Sequence, residues 1–291
     1  MTVTAGHRST THGAGATRQG SSGPDLPRAS SWLRTSFLGH PVLLAVTDAP
    51  GDALTVAAAL LRRLEELWDA GQRRSDLHRV LVRPGTVVPV SAETVLLARH
   101  AAEAQAFTGV SVRDRLDVVV SSRHGCVGLP PVTAARAGSL VVPTAVDLVA
   151  ERLAEAGAGR GLVRIGSSTR AVGTADAPAW QVPLPLLPAG CGVQLAEGGL
   201  ATSAQAPVRL DRLATVRPGS TRDAVAAVAV MAPNAWEGAV LAEAALSRDT
   251  DAAVRLLERS GAGALVVPAT GGLLPVGPAG PFATRGRQPR A

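Results

Sequence analysis

Residues Val225 to Leu246 read VAAVAVMAPNAWEGAVLAEAAL. Val225–Met231 is a short apolar run with the length and composition of a strand. Ala232-Pro233 breaks it, and a helix is expected to open at Asn234. Glu237 lies three residues after Asn234, the spacing of a capping box in which two side chains satisfy first-turn backbone donors. Val240, Leu241 and Ala244 then fall on one helical face.

Working outward, Thr250 or Asp251 starts a helix that ends at Gly261, and Ala264–Pro268 is a strand turning at Thr270-Gly-Gly272. Towards the N-terminus, Val42–Thr47 is a strand closed by the turn Asp48–Gly51, with Asp52 placed to cap the next helix. Val56, Leu60, Leu64, Leu67 and Trp68 recur there at helical spacing, opposite Arg62, Arg63, Glu65 and Glu66. Ser75–Arg79 reads as a loop or helical turn, Val87–Val90 as a strand, and Ser91 as the cap of a helix reaching about Ala106. Further strands are expected at Leu116–Val120, Leu140–Val142, Leu162–Ile165, Arg170–Gly173, Trp180–Leu184, Gly199–Ser203 and Leu213–Val216. Thr144–Ala156 is a helix stopped by Gly157. Strands and helices interleave without strict βαβ alternation, so the fold class is α+β with mixed sheets. Residues 1–30 and 277–291 lack an apolar pattern and read as disordered, leaving one domain over 31–276.

Composition bounds the chemistry. The 291 residues contain no lysine, so all 29 basic residues are arginines, set against 23 acids. The arginines are scattered without interleaved aromatics, a solvated surface rather than a nucleic-acid stripe. A P-loop is excluded, since it needs a lysine. Gly157-Ala-Gly159-Arg-Gly161 follows a helix and precedes a strand, the reverse of a phosphate-cradling order. Cys126 and Cys191 lack metal or redox spacing, and His40, His78, His100 and His124 read as loop or surface histidines without ligand spacing. No apolar run approaches a membrane span and no secretory h-region opens the chain, so a cytoplasmic protein is expected.

Seven segments in register resemble the ApbE-type flavin transferases, which move FMN from FAD to a Thr or Ser hydroxyl of a target flavoprotein with the help of magnesium. The Val225–Leu246 unit is similar to that family's strand–helix element "V-A-P-x-A-x-x-A-D-x-x-A-T". Gly39-His-Pro-Val42 resembles its first strand, and Ser75-Asp-Leu77-His-Arg79 its "S-x-L-x-R-L" segment that meets FAD. Thr108-Gly109 resembles the start of "T-G-G-x-x-D-P-T", and the helix with Asp147 the "A-x-D" after "G-I-A-K-G". Leu162–Gly166 matches "L-V-N-x-G-G-D", and Gly199–Ser203 matches "G-x-A-T-S-G". The resemblance implies an ApbE-like fold over most of the chain and FAD as ligand. It implies Ser75, Leu77, Thr108, Gly109, Gly166 and Ser203 as the nucleotide-contacting positions.

The family's chemical groups are replaced. Its metal Asp and Thr are Ala239 and Glu243 here, which leaves Glu243 as the candidate ligand if an ion binds. Ala-Lys-Gly is Val141-Val142-Pro143, Gly-Gly-Asp is Gly166-Ser167-Ser168, and Asp-Pro-Thr is Arg113-Asp114-Arg115. The His-Asp loop is Ala214–Thr221, keeping a proline and a hydroxyl. Attack on a pyrophosphate phosphorus relies on charge neutralisation at its oxygens, so catalysis is expected to be weakened or lost and magnesium dependence slight. Two function classes remain: a transferase with a rewired site, or a non-catalytic scaffold that binds a flavin nucleotide or a protein partner.

Overall fold

The computed structural model describes residues 4–6, 31–108, 119–173, 178–184, 191–205, 224–278 and 283–285. Among them nine strands form one antiparallel sheet, in the order β1 (Thr4–Gly6), β2 (Ser31–Phe37), β3 (His40–Thr47), β7 (Arg160–Ile165), β8 (Ser168–Gly173), β11 (Gly198–Ala204), β12 (Val225–Ala232), β13 (Gly263–Pro268) and β14 (Leu274–Val276). Two three-stranded sheets accompany it. One pairs β9 (Trp180–Pro183), β10 (Cys191–Leu195) and β15 (Ala283–Arg285); the other pairs β4 (Val88–Pro89), β6 (Cys126–Gly128) and β5 (Val119–Ser121). The helices are α1 (Ala53–Trp68), α2 (Asp76–Leu81), α3 (Ala92–Thr108), α4 (Pro131–Glu155), α5 (Ala235–Leu246) and α6 (Thr250–Ser260).

The period-2 alternation of the strands sorts the core into layers. Val42, Leu44, Val46, Val163 and Ile165 face α1, α3 and α4. From the same strands Ala45 and Leu162 face the opposite way, onto Trp180, Val182, Val193 and Leu195 of the β9–β10 sheet. Val228, Val230, Ala264 and Val266 face α5 and α6, while Ala227, Ala229, Leu265 and Val267 join the Trp180 side. The large sheet is therefore covered on both faces, which is why its strands are continuous apolar runs.

Several expectations need correction. Leu140–Val142 is not a strand: it lies inside α4, whose 25 residues run through Pro143. Val141-Val142-Pro143 has β propensity and a helix breaker, but packing against α1, α3, β7 and β8 outweighs local preference. Pro143 has no N–H to give the Ser139 carbonyl. The buried face of α1 is Ala53, Ala57, Leu61, Leu64 and Trp68, so it runs through Leu61 rather than Leu60. Asp52 stands at the N-cap of α1 without a side-chain cap bond. Thr4–Gly6 and Ala283–Arg285 are strands within stretches read as disordered. The strand expected at Leu213–Val216 lies outside the described residues.

Candidate functional site

The element that opened the sequence reading is held from a distance. Asn234 occupies the N-cap of α5, but its side chain makes no cap bond. Instead the Asp147 carboxylate of α4 accepts from the N–H of Ala235 at 2.8 Å and of Trp236 at 2.9 Å. The expected capping box is thus replaced by a carboxylate 88 residues upstream, and Asn234 Nδ2 donates to Glu237 Oε1 at 2.8 Å. Arg170 of β8 completes the node: Nη1 lies 3.3 Å from Asp147 Oδ1 and also donates to the Pro233 carbonyl and Asn234 Oδ1. Gly199 lets the β11 backbone lie directly against this turn, since a Cβ there would overlap Asn234 and the Ala235 nitrogen.

His100, expected as a loop or surface residue, is buried against the same helix. Its ring stacks on Trp236 with centroids 4.4 Å apart, and Nδ1 is 3.1 Å from Thr144 Oγ1. Burial holds the imidazole down at about 4, against an ordinary 6.5. Burial acts the other way on Asp147, pushing the carboxyl from 3.8 up to about 6 against the pull of two N–H donors and Arg170. The two linkages have opposite signs. Unfolded His100 takes a proton below 6.5 that the folded chain refuses, so its contribution is lost as pH falls towards 4. Folded Asp147 keeps a proton that the unfolded chain releases above 3.8, so its contribution is lost as pH rises towards 6. Each is worth roughly 3 kcal/mol at full extent. In urea titrations across this range, His100→Gln is expected to tilt the stability curve downwards with rising pH relative to wild type. Asp147→Asn is expected to tilt it upwards; tilts of the same sign would contradict these environments.

The family-like segments converge on two adjoining clefts beside α4, which share His40, Gly138 and Val142. The smaller, about 410 Å³, is lined by hydroxyl residues Ser139, Ser167, Ser168, Thr202 and Ser203 together with Glu243. The other, about 570 Å³, is walled by Trp68, Leu77, Leu81, Val141 and Val142, with Glu65 and Asp69 at its polar side. A larger cavity of about 710 Å³ lies by Arg170, Asn234 and Glu237 at the start of α5. It is lined by the Met231–Leu241 part of the opening stretch and by Gly199, whereas the paired clefts bring together more of the family-like segments and are the better candidate.

Of the nucleotide-contacting candidates, Leu77 and Ser203 line these clefts. Gly166 takes φ +57° in the β7–β8 turn, beside His40, and sets Ser167 and Ser168 into the cleft wall. Ser75 is buried and serves the fold: its hydroxyl donates to the Asp69 carbonyl at 2.7 Å and accepts from the His78 N–H at 3.1 Å, capping α2. Arg79 of the same segment pairs with Asp76. Asp76 also accepts from the Ser91 N–H at 2.7 Å and from Thr94 Oγ1 at 3.0 Å, and Thr94 takes the Trp68 indole N–H at 3.0 Å. Burial opposes ionisation of Asp76, but these donors prevail and hold its carboxyl below the usual range. This network fixes α2, and so Leu77, against the cleft. Thr108 ends α3, and Gly109 lies outside the described residues.

Glu243 reaches the smaller cleft from α5, but its Oε2 is taken by Arg136 Nη1 of α4. Magnesium wants six oxygens in near-octahedral array, one or two of them carboxylate. Among the described residues Glu243 is the only carboxylate lining this cleft, and no three His, Cys, Asp or Glu side chains gather as a metal site. These side chains do not fit the ion. Sequence reasoning missed Arg136 and Arg170 because nothing in local spacing marks a partner 107 or 23 residues away.

Comparison with known proteins places this arrangement. The ApbE family model matches residues 136–266. The flavin transferase ApbE of Vibrio cholerae, in a point-variant form, superposes with a TM-score of 0.70 at 14% identity, over 87% of this chain and 99% of that one. The apo flavinyl transferase ApbE of Pseudomonas stutzeri gives 0.66 at 16%, over 87% and 97%. The ApbE protein of Thermotoga maritima gives 0.65 at 18%, over 85% and 97%. No curated protein sequence matches the chain. No helix among the described residues is long and apolar enough to cross a membrane. Residues 136–266 thus resemble the ApbE family in sequence, and the chain shares its fold nearly end to end with these transferases.

Proposed function

We propose that this chain is an ApbE-family member that binds a flavin nucleotide in the paired clefts, while FMN transfer from FAD to a protein hydroxyl is weakened or lost. The observation that carries this reading is the pairing of Glu243, which lines the hydroxyl-rich cleft, with Arg136 of the adjoining α4. It occupies the one carboxylate that lines the cleft among the described residues, while Val142 stands where the resemblance expects a lysine. Splitting the pyrophosphate of FAD needs charge neutralised on the attacked phosphoryl and the departing AMP. Loss of one group that stabilises such charge costs about 100- to 1000-fold in rate, and here both the metal carboxylate and the lysine are replaced. What remains is a site of the right polarity for holding a nucleotide. An apolar wall at Trp68, Leu77 and Val141 faces a ring system, and the Ser167, Ser168, Thr202 and Ser203 side offers donors to phosphate. Without transfer, a flavoprotein acceptor is no longer a required partner.

Purified protein incubated with FAD and magnesium tests this. FAD is expected to bind by calorimetry with little magnesium dependence, while AMP release and covalent flavin on a Thr-bearing acceptor stay at the level of a protein-free blank. Magnesium-dependent AMP release would restore the transferase. A chain that binds no FAD would instead be a scaffold for a protein partner.

A further inference from the structure

Resting on the flavin-nucleotide reading, we propose that Arg136 takes the place of a divalent cation, receiving the nucleotide's phosphate directly as Glu243 lets go. Among the described residues the smaller cleft is lined by one anionic side chain, Glu243, and it is already paired with Arg136. A cleft rich in carboxylates repels phosphate until a metal screens them; with Glu243 paired, the described lining of this one presents no uncompensated carboxylate. In the adjoining cleft the two acids each accept hydrogen bonds from nearby donors. Glu65 Oε1 accepts from the Leu38 N–H at 3.0 Å, and Asp69 accepts from the Gly71 N–H at 2.9 Å and from Gln72 at 3.0 Å.

The pair is built for exchange. Arg136 is mostly covered, with 21% of its side chain exposed, while Glu243 is 55% exposed and swings from an exposed face of α5. An ion pair open to water on one side contributes little. A phosphate offers the planar guanidinium fork two parallel acceptor oxygens and more charge than a carboxylate does. Arg136 sits one turn before Ser139 on α4, and the Ser139 hydroxyl donates to the Arg136 carbonyl at 2.9 Å, so the arginine and the hydroxyl wall share one helical segment. Glu243 thereby acts as an internal competitor for phosphate, raising the threshold at which the nucleotide is held.

Calorimetric titration of the full chain in EDTA, with FAD and with phosphate-free riboflavin, tests the exchange. FAD is expected to bind wild type at least about tenfold tighter than riboflavin with no metal present, the yield of one charge-assisted phosphate contact. Glu243→Gln is expected to tighten FAD roughly three- to tenfold and leave riboflavin unchanged. Arg136→Gln is expected to erase the preference for FAD; if that variant does not fold, Glu243→Gln carries the test by itself. FAD weakened by Glu243→Gln, or tightened more than about tenfold by magnesium in wild type, overturns the role of Arg136 and leaves flavin binding intact. Failure of both FAD and riboflavin to bind wild type overturns the flavin-nucleotide reading, and the exchange with it.

Discussion

Asp147→Ala is expected to lower folding stability by about 3–5 kcal/mol, the range for removing one member of a buried charge pair. Its carboxylate is almost fully buried and serves three elements at once: α4 that carries it, the first turn of α5, and Arg170 of β8. Alanine leaves two buried N–H groups unmet and a mostly buried guanidinium without its counter-charge. Asp147→Asn keeps one acceptor oxygen and should lose roughly half as much. Equilibrium urea unfolding near neutral pH measures both. A loss below about 1 kcal/mol for alanine, the size of an ordinary exposed cap, would show that the node adds nothing beyond local capping.

Gly199→Ala should be of similar or greater severity, because the atoms its methyl group meets are backbone. The added carbon would lie 2.2 Å from the Asn234 carbonyl carbon and 2.3 Å from the Ala235 nitrogen, neither of which can rotate away as a side chain could. Overpacking a well-filled site costs about 1–3 kcal/mol when side chains can adjust, so several kcal/mol or failure to fold is expected when α5 itself must shift. Gly138 provides the contrast. It lies within α4, where a Cβ would meet nothing within 4 Å. Gly138→Ala should therefore raise stability by about 0.5–1 kcal/mol, since glycine is disfavoured in a helix interior. Thermal unfolding of the two variants side by side is the measurement, and a Gly199→Ala protein as stable as wild type would mean that β11 does not lie against the α5 turn.

What the sequence disclosed was what neighbouring residues decide. The strand of Val225–Met231, the helix opening after Asn234, and the stop of α6 at Gly261 in left-handed conformation all follow from residues within one turn of each other. What it concealed was set by contacts far along the chain. The cap of α5 comes from Asp147, although Asn234 and Glu237 carry the local signature of a box. Pro143 reads as a boundary and is instead the middle of a helix held on several sides. Leu77, Gly166 and Ser203 fall at or beside the clefts because fold resemblance fixes position, whereas Ser75, which matched the same motif, turned out to cap a helix. Motif matching alone does not separate a residue that lines a cleft from one that holds its neighbour in place.

The order of strands in the large sheet has a consequence for how the protein is made. β2 and β3 pair as a hairpin, but the other edge of β3 waits for β7, with Val42 opposite Ile165, more than a hundred residues later. During synthesis that edge emerges long before its partner does, presenting an apolar template to any other extended chain. Closure over so long a loop makes folding slow. Until the second half arrives, α1 can cover one face of β3 but leaves that edge open.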